Sequence, residues 1–504
     1  MDKSGRHEAK RARVGELPFF SMGLSTHCVP MSMYATHRAK LVQGLQAAKA
    51  VGVVLLQGVK DANRDDTDRS LLARQESYFA YLFGVTEPDC YATIDIANGT
   101  STLFIPRLPA EYAIWMGKIQ PPSQFQKKYA VGNVKFVDEL EEFLQDAPAV
   151  HVLHGQNSDS KAWASVEVPK GVPDSKLHRD LLLPAASEAR VVKSPAEVDV
   201  LRYVAKISSQ AHVRVMQQVK PGMAEYQLEA IFQHYCYYYG GCRQVAYMCI
   251  CATGDNSSVL HYGHAAAPND RIFHDGEMAL MDMGGEYACY CADITCSFPV
   301  NGKFTADQRL VYEAVLDAQR AVFAKLKPGV EWVDMHLEAE RAILAALKAG
   351  GLLQGSVDDM MVQRVGATFM PHGLGHLLGL DTHDVGGYST GKERIDKPGL
   401  RSLRMNRTIE AGMFLTVEPG CYFIDYLLDE AMSNESTAGF FVADKVNRFR
   451  GFGGVRLEDD VLITSDGNEN FTICPRTVDE VEAVMAGAPW PPFPVVNGNS
   501  ISDN

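Results

Sequence analysis

Among the 504 residues no stretch approaches the run of roughly eighteen apolar residues that a membrane-spanning helix needs. The basic start at Lys10-Arg-Ala-Arg13 is not followed by the apolar segment of a secretory signal, so a cytoplasmic protein without membrane contact is expected. As a nuclear signal that tetrad is outweighed by its simpler reading as part of a solvated tail. Positive charge is also scarce. The 48 Lys and Arg stand against 62 Asp and Glu, and the net charge of -14 opposes binding to a polyanion such as nucleic acid. The 11 cysteines are odd in number and scattered, which does not suit a disulfide framework and points to reduced thiols. Cys249-x-Cys251 and Cys289-x-Cys291 offer four zinc ligands on paper, but their strand-like setting reads more simply as buried thiols.

What is present is an ordinary globular composition, 46% hydrophobic and 22% charged, on a chain longer than a single core supports. The first half alternates short apolar runs with helical patterns and reads as α/β. Runs at 91–96 and 101–105 flank Asn98-Gly99, which predicts a tight hairpin, with Trp115 in a loop just beyond it. Ser194-Pro-Ala-Glu197 combines an N-cap, a first-turn proline and a capping-box glutamate. A domain boundary shortly before it divides the chain into a flexible tail at 1–17, a domain at 18–190, a second at 191–485 and a tail rich in Pro, Asn and Ser at 486–504.

The second domain contains a repeat. Two long helical patterns each run into Lys-Pro-Gly, at 220–222 and 327–329, and another helical pattern follows each. Gly276 precedes Asp282 by six positions, Gly412 precedes Glu418 by six, and Gly284 or Gly420 follows two positions later. Two such halves packed about a pseudo-two-fold axis would bring their carboxylates together. Taken singly, an acidic residue after a strand is more often a solvated turn position; the paired spacing shifts that balance. Asp282, Asp293, Glu418 and Glu458 all lie in apolar runs, where an unpaired carboxylate is costly, and divalent cations are a natural solution. His372 and His376 have the four-residue spacing of a helical zinc-protease motif, but Gly373 and Gly375 disfavour helix and position 373 lacks that motif's glutamate. Four carboxylates and an imidazole without thiolate suit a pair of Mn, Co, Fe or Zn ions, which could share a bridging water and present hydroxide to a peptide carbonyl.

The set Asp282, Asp293, His376, Glu418 and Glu458 resembles the five metal ligands of the pita-bread metallopeptidases. Arg74-Gln-Glu-Ser-Tyr78, Trp115-Met-Gly-Lys118, His261-Tyr-Gly-His264, Asp293-Ile-Thr295 and Arg450-Gly-Phe-Gly-Gly-Val-Arg456 resemble the eukaryotic prolidases within that family, over about residues 30–485. The resemblance implies a creatinase-like N-terminal domain, a pita-bread catalytic domain of α/β (α+β) class, a homodimer, a pair of Mn²⁺ ions, and hydrolysis of Xaa-Pro dipeptides to free proline. It also implies that Asp293 and Glu458 bridge the metals, that Asp282 completes one ion's ligands, and that His376 and Glu418 complete the other's. Glu418 would shuttle the proton. By the same likeness His261 and Arg404 contact the proline carboxylate, His383 stabilises the reacting carbonyl, Tyr247 and Arg456 support the site, His372 lies near it, and Trp115 reaches the partner subunit's active site. Two alternatives stay open: an aminopeptidase P acting on longer peptides, and a metal-free interaction module of the same fold.

Overall fold

The computed structural model describes residues 18–388 and 391–491, so the expected tail at 1–17 and positions 492–504 of the expected C-terminal tail lie outside the described residues. The chain forms two compact units that divide after Val200. None of the helices among the described residues is long and apolar enough to cross a membrane.

The first unit is built on a six-stranded mixed sheet. We number its strands β1 (Val53–Gln57), β2 (Tyr91–Asp95), β3 (Ser101–Ile105), β4 (Asn133–Phe136), β5 (Val150–Val152) and β6 (Leu177–His178); their spatial order is β6-β5-β1-β2-β3-β4. β1 reads Val-Val-Leu-Leu without polar alternation because the strand is buried on both faces. Val53, Leu55, Phe104, Val150 and Val152 share one cluster with Leu140 and Leu144 from the helix Leu140–Asp146. Helix α1 (Met31–Ala47) turns Met31, Tyr34, Arg38, Leu41, Val42 and Leu45 inward at helical spacing.

Two local expectations need correction here. The hairpin of β2 and β3 forms, but Ile94 pairs with Ser101 and the loop is longer than a two-residue turn. Asp95 Oδ1 accepts the N–H groups of Ala97 and Asn98 at 2.8 and 3.3 Å, and of the Asn-Gly pair Gly99 alone takes a positive φ. Trp115 lies in the short helix α2 (Tyr112–Met116) rather than a loop, and is 83% exposed beside Ile114 and Met116.

The second unit shows the repeat in its backbone. Helix α3 (Pro195–Gln218) starts at the expected capping box: Ser194 N–H donates to Glu197 Oε2 at 2.7 Å and Glu197 N–H to Ser194 Oγ at 3.4 Å. A Lys-Pro-Gly turn leads to α4 (Glu225–Gly240), and in the other half α5 (Ala306–Lys325) and a second such turn lead to α6 (Trp332–Ala349). Gly222 and Gly329 have φ of 91° and 92°, and their N–H groups bond Phe273 and Ile409, each three residues before a positive-φ glycine, Gly276 or Gly412. The bridges Ala224↔Ile272 and Glu331↔Thr408 repeat the pattern.

Each half then delivers a strand, a hairpin and a second strand. The first half contains β7 (Ile250–Thr253), β8 (Met278–Asp282), β9 (Gly285–Tyr287), β10 (Tyr290–Cys291) and β11 (Thr295–Pro299), with β7-β8-β11 antiparallel and β9 paired to β10. The second contains β12 (Phe414–Val417), β13 (Gly420–Tyr422), β14 (Gly454–Arg456), β15 (Asp459–Ile463) and β16 (Asn468–Asn470), with β12-β15-β16 antiparallel and β13 paired to β14. Between β13 and β14 lie α7 (Asp425–Ser433) and α8 (Ala443–Asn447). None of the eleven cysteines, all among the described residues, is joined in a disulfide. The strand-like setting expected for Cys289 does not hold: it occupies the turn between β9 and β10 with φ of 67°.

Candidate metal and peptide site

The ends of β8, β10, β12 and β14 converge. Asp282, the last residue of β8, accepts from Tyr247 Oη at 2.5 Å and from Arg456 Nη2 at 2.6 Å. Asp293 lies between β10 and β11, and its N–H donates to Asp460 Oδ1 at 3.1 Å. Glu458 lies between β14 and β15; its N–H donates to Thr295 O at 3.1 Å and its Oε2 accepts from Thr295 Oγ1 at 2.7 Å.

The segment around His376 is irregular, as its glycines predict, and joins β12 through the bridge Leu377↔Leu415. A Cβ at Gly375 would stand 2.1 Å from Thr416 O, so glycine is what lets this segment lie against β12. His376 N–H donates to Thr416 Oγ1 at 3.1 Å, and its Nδ1 lies 3.0 Å from Leu377 O. Since a carbonyl only accepts, Nδ1 carries a proton and Nε2 is turned toward Asp293 Oδ2 and Glu418 Oε1, at 3.4 Å from each. Glu418, just after β12, accepts from Thr416 Oγ1 at 3.3 Å, and its Oε2 lies 3.8 Å from His372 Nδ1. Atoms of Asp293, His376 and Glu458 come within 4.8 Å of one another, the spacing of groups that share an ion.

Electrostatics test whether metal fits. Burial raises the Asp282 carboxyl, against the lowering effect of Arg456, and Asp293 raises it further. Glu458 is pushed well above its ordinary range by burial, then by Asp293, Glu418 and Asp282. Burial lifts Glu418 to about 7, although His376 and Arg456 pull it down. His376 is raised, because its hydrogen bond to Asp293 and the charge of Glu418 outweigh burial. Crowded buried carboxylates that resist ionisation, with an imidazole oriented from behind, form a donor set that divalent ions would satisfy.

The other expected residues divide into three groups. Arg456 is buried and holds Asp282, Thr295 Oγ1 at 3.1 Å and Tyr422 Oη at 2.8 Å. Tyr422 in turn lies 2.9 Å from His372 Nε2, and burial followed by Arg456 pushes the His372 imidazole down to about 3. His261, His383 and Arg404 form the second group. Desolvation lowers both imidazoles, and Arg404 lowers both further. The His383 ring centre lies 4.6 Å from that of His376, nearly perpendicular to it. Trp115 stands apart from these in chain position, on α2 of the first unit.

Sequence reasoning assigned no role to Thr295, Thr416, Tyr422 or Asp460, although all four hold residues of the site. Each bears a side chain common in strands or turns, and its role depends on partners far away in sequence; the run Glu458-Asp-Asp460, three carboxylates inside a buried strand region, was the available signal.

Comparison with known proteins supports the same region. Residues 199–465 match metallopeptidase family M24, and residues 34–152 match the aminopeptidase P N-terminal domain. The chain is 53% identical over 475 residues to Xaa-Pro dipeptidase of Homo sapiens, covering 93% of this chain and 96% of that protein. It is 36% identical over 447 residues to a probable Xaa-Pro aminopeptidase of Talaromyces marneffei, covering 87% of this chain and 93% of that protein. Among solved structures it resembles Pseudomonas aeruginosa aminopeptidase PepP, with TM-score 0.73, 31% identity and coverage of 91% and 98%. Zinc-substituted Escherichia coli aminopeptidase P in complex with product gives TM-score 0.72 at 29% identity, with the same coverage.

Proposed function

The chain belongs to metallopeptidase family M24, and from that premise we propose that it hydrolyses dipeptides whose second residue is proline. The observation that carries this reading is the 53% identity to an Xaa-Pro dipeptidase across 93% of the chain, supported by the clustering of Asp293, His376 and Glu458. With Asp282 and Glu418, these residues would hold two divalent ions, which we assign as Mn²⁺ on their oxygen-rich donors. Such ions polarise a peptide carbonyl and lower the pKa of water, which is the chemistry they supply here.

The chain's own residues do the rest. Glu418, just after β12 and beside His376 and His372, takes a proton and gives it to the departing proline nitrogen. His383 faces the reacting carbonyl from beside His376. His261 and Arg404 receive the substrate's terminal carboxylate, and a guanidinium can grip it through two parallel hydrogen bonds. Arg456 and Tyr247 hold Asp282, and His372 steadies Tyr422. Trp115, with its exposed neighbours Ile114 and Met116, is the surface by which a second copy completes each site in a cytoplasmic homodimer.

The aminopeptidase P reading draws on the structural neighbours and the relatives at 36% identity. One experiment separates the two. Wild type and Arg404→Ala are assayed on an Xaa-Pro dipeptide, its C-terminal amide and a C-terminally extended peptide. A dipeptidase prefers the free acid strongly, and Arg404→Ala loses about 30-fold to a few thousand-fold on the acid, far less on the amide, with metal content retained. A wild-type preference for the extended peptide would replace the dipeptidase reading with aminopeptidase P.

A further inference from the structure

The structure assigns Asp460 as a positioning residue that fixes the metal-facing loop of the opposite half. This inference rests on the metal site proposed above and adds to it a residue outside the five ligands. Asp460 Oδ1 accepts the backbone N–H of Asp293 at 3.1 Å, across 167 positions of sequence. Asp460 itself is fully buried and locked on the central strand β15, paired with Thr416 of β12, its own N–H on Thr472 Oγ1 at 3.0 Å and its carbonyl taking Phe471 N–H at 2.8 Å.

The contact has a counterpart. Thr295, two residues after Asp293, reaches into the second half, where its Oγ1 and carbonyl O take Glu458 by side chain and backbone. Asp460, two residues after Glu458, reaches into the first half and takes Asp293 by its backbone. Each central carboxylate is thus held by the residue two positions beyond the other. The two halves lock each other in place, and the separation of Asp293 from Glu458 is set by two crossed contacts rather than by either hairpin alone.

A purely structural role explains Asp460 less well. Its Oδ2 is buried with no hydrogen-bond partner among the described residues, a costly choice if filling space were all that the position required. An acceptor aimed at the Asp293 N–H is what an aliphatic side chain would fail to provide. Neighbouring Asp459, by contrast, is occupied by Arg476 and by Asn470 Nδ2 at 2.7 Å.

The test compares Asp460→Ala with Asp460→Asn, whose amide oxygen can still accept from Asp293. Metal-free protein is titrated with Mn²⁺ by calorimetry and with Co²⁺ by its visible absorption, and thermal unfolding is measured without metal. Asp460→Ala is expected to bind metal about 10- to 100-fold more weakly with an altered Co²⁺ spectrum, the usual cost of losing an outer contact to a ligand, while Asp460→Asn stays within about threefold of wild type. If Asp460→Ala fails to accumulate, Asp460→Ser, with its shorter reach, takes its place under the same expectation. Metal affinity and spectrum unchanged in Asp460→Ala, whatever its unfolding temperature, overturn the assignment. Wild type that binds neither ion overturns the metal site itself and this inference with it.

Discussion

The two halves of the second unit each bend a strand into the site and send another out, but they join the two differently. In the first half β9 and β10 are connected by Ala288 and Cys289 alone; in the second, β13 and β14 are separated by residues 423–453 with two helices. The carboxylates differ as sharply. Asp282 is met by a phenol and a guanidinium within 2.6 Å, whereas Glu418 has a threonine hydroxyl at 3.3 Å and an imidazole at 3.4 Å. One half fixes its carboxyl in place through two short hydrogen bonds and the other holds its carboxyl loosely, although burial raises both. A duplicated framework can therefore divide structural and proton-handling duties between equivalent positions, through the partners supplied to each. Arg456 belongs to β14 of the second half yet neutralises Asp282 of the first, so the division depends on both halves being folded together.

The largest expected effect comes from exchanging charge for amide in each half. Asp282→Asn and Glu418→Gln should both lose more than about 1,000-fold in turnover as metal is lost or misplaced. They should part company in stability without metal. Asp282→Asn leaves Arg456 buried without its counter-charge and costs about 3–5 kcal/mol, as breaking a buried pair does. Glu418→Gln removes a group that burial already disfavours as an anion and should leave thermal unfolding within about 2 °C of wild type on the scale of less than 1 kcal/mol. Equal destabilisation by the two variants would erase the contrast between the tightly and the loosely held carboxyls.

Next in size is a pH effect. Glu418 at about 7, and Glu458 above its ordinary range, keep protons in the folded metal-free protein that the unfolded chain releases near pH 4 to 5. With more protons bound in the folded state, stability is fully present below the unfolded pKa and falls as pH rises toward 7. Metal must displace those protons, so its affinity should rise over the same window, by about tenfold per pH unit for each proton released. Glu418→Gln should flatten this slope by about one proton, and Asp460→Asn should leave the proton on Glu418 untouched. Affinity independent of pH between 5 and 7 would contradict the raised carboxyls.

How much of this was readable in advance follows from how far apart the interacting residues are. The strand ends bearing Asp282 and Glu418, the capping box at Ser194 and the two Lys-Pro-Gly turns are local patterns of residue type, and the structure shows each of them. Of the five expected ligands, atoms of Asp293, His376 and Glu458 lie within 4.8 Å of one another, and Glu418 Oε1 lies 3.4 Å from His376 Nε2. Crossed contacts such as Thr295 to Glu458 and Asp460 to Asp293 span more than 160 positions and leave no local periodicity to detect. Turn geometry was misread for a different reason. Asn98-Gly99 has the composition of a two-residue hairpin turn, but Asp95 captures the following amides and widens the loop, while the real two-residue turn carries Ala288-Cys289, which composition alone does not suggest. The short helix at Trp115 has too few residues to establish a period.

That two-residue turn supplies the smallest and most discriminating prediction. Tyr287 pairs with Tyr290, so Ala288 and Cys289 form the whole connection, with φ of 52° and 67°. Positive φ at both positions is the condition for a type I′ turn, which Asn-Gly satisfies with little strain and Ala-Cys does not. The double substitution Ala288→Asn, Cys289→Gly should therefore stabilise the metal-free protein by about 1 kcal/mol, read as a rise of about 2–4 °C in unfolding temperature. Metal affinity and turnover should stay within about twofold, because Asp282 takes its position from Tyr247 and Arg456 rather than from the turn. The variant also removes the Cys289 thiol while keeping Cys291, whose Sγ points to Leu380 O at 3.5 Å. Activity loss on mild oxidation that persists in the double variant would exclude Cys289 as its cause. Should the variant gain stability yet lose metal affinity, the strain at Ala288 and Cys289 would itself be part of how the first half holds its carboxylate, and the short turn would have to be counted with Arg456 among the devices that pin it.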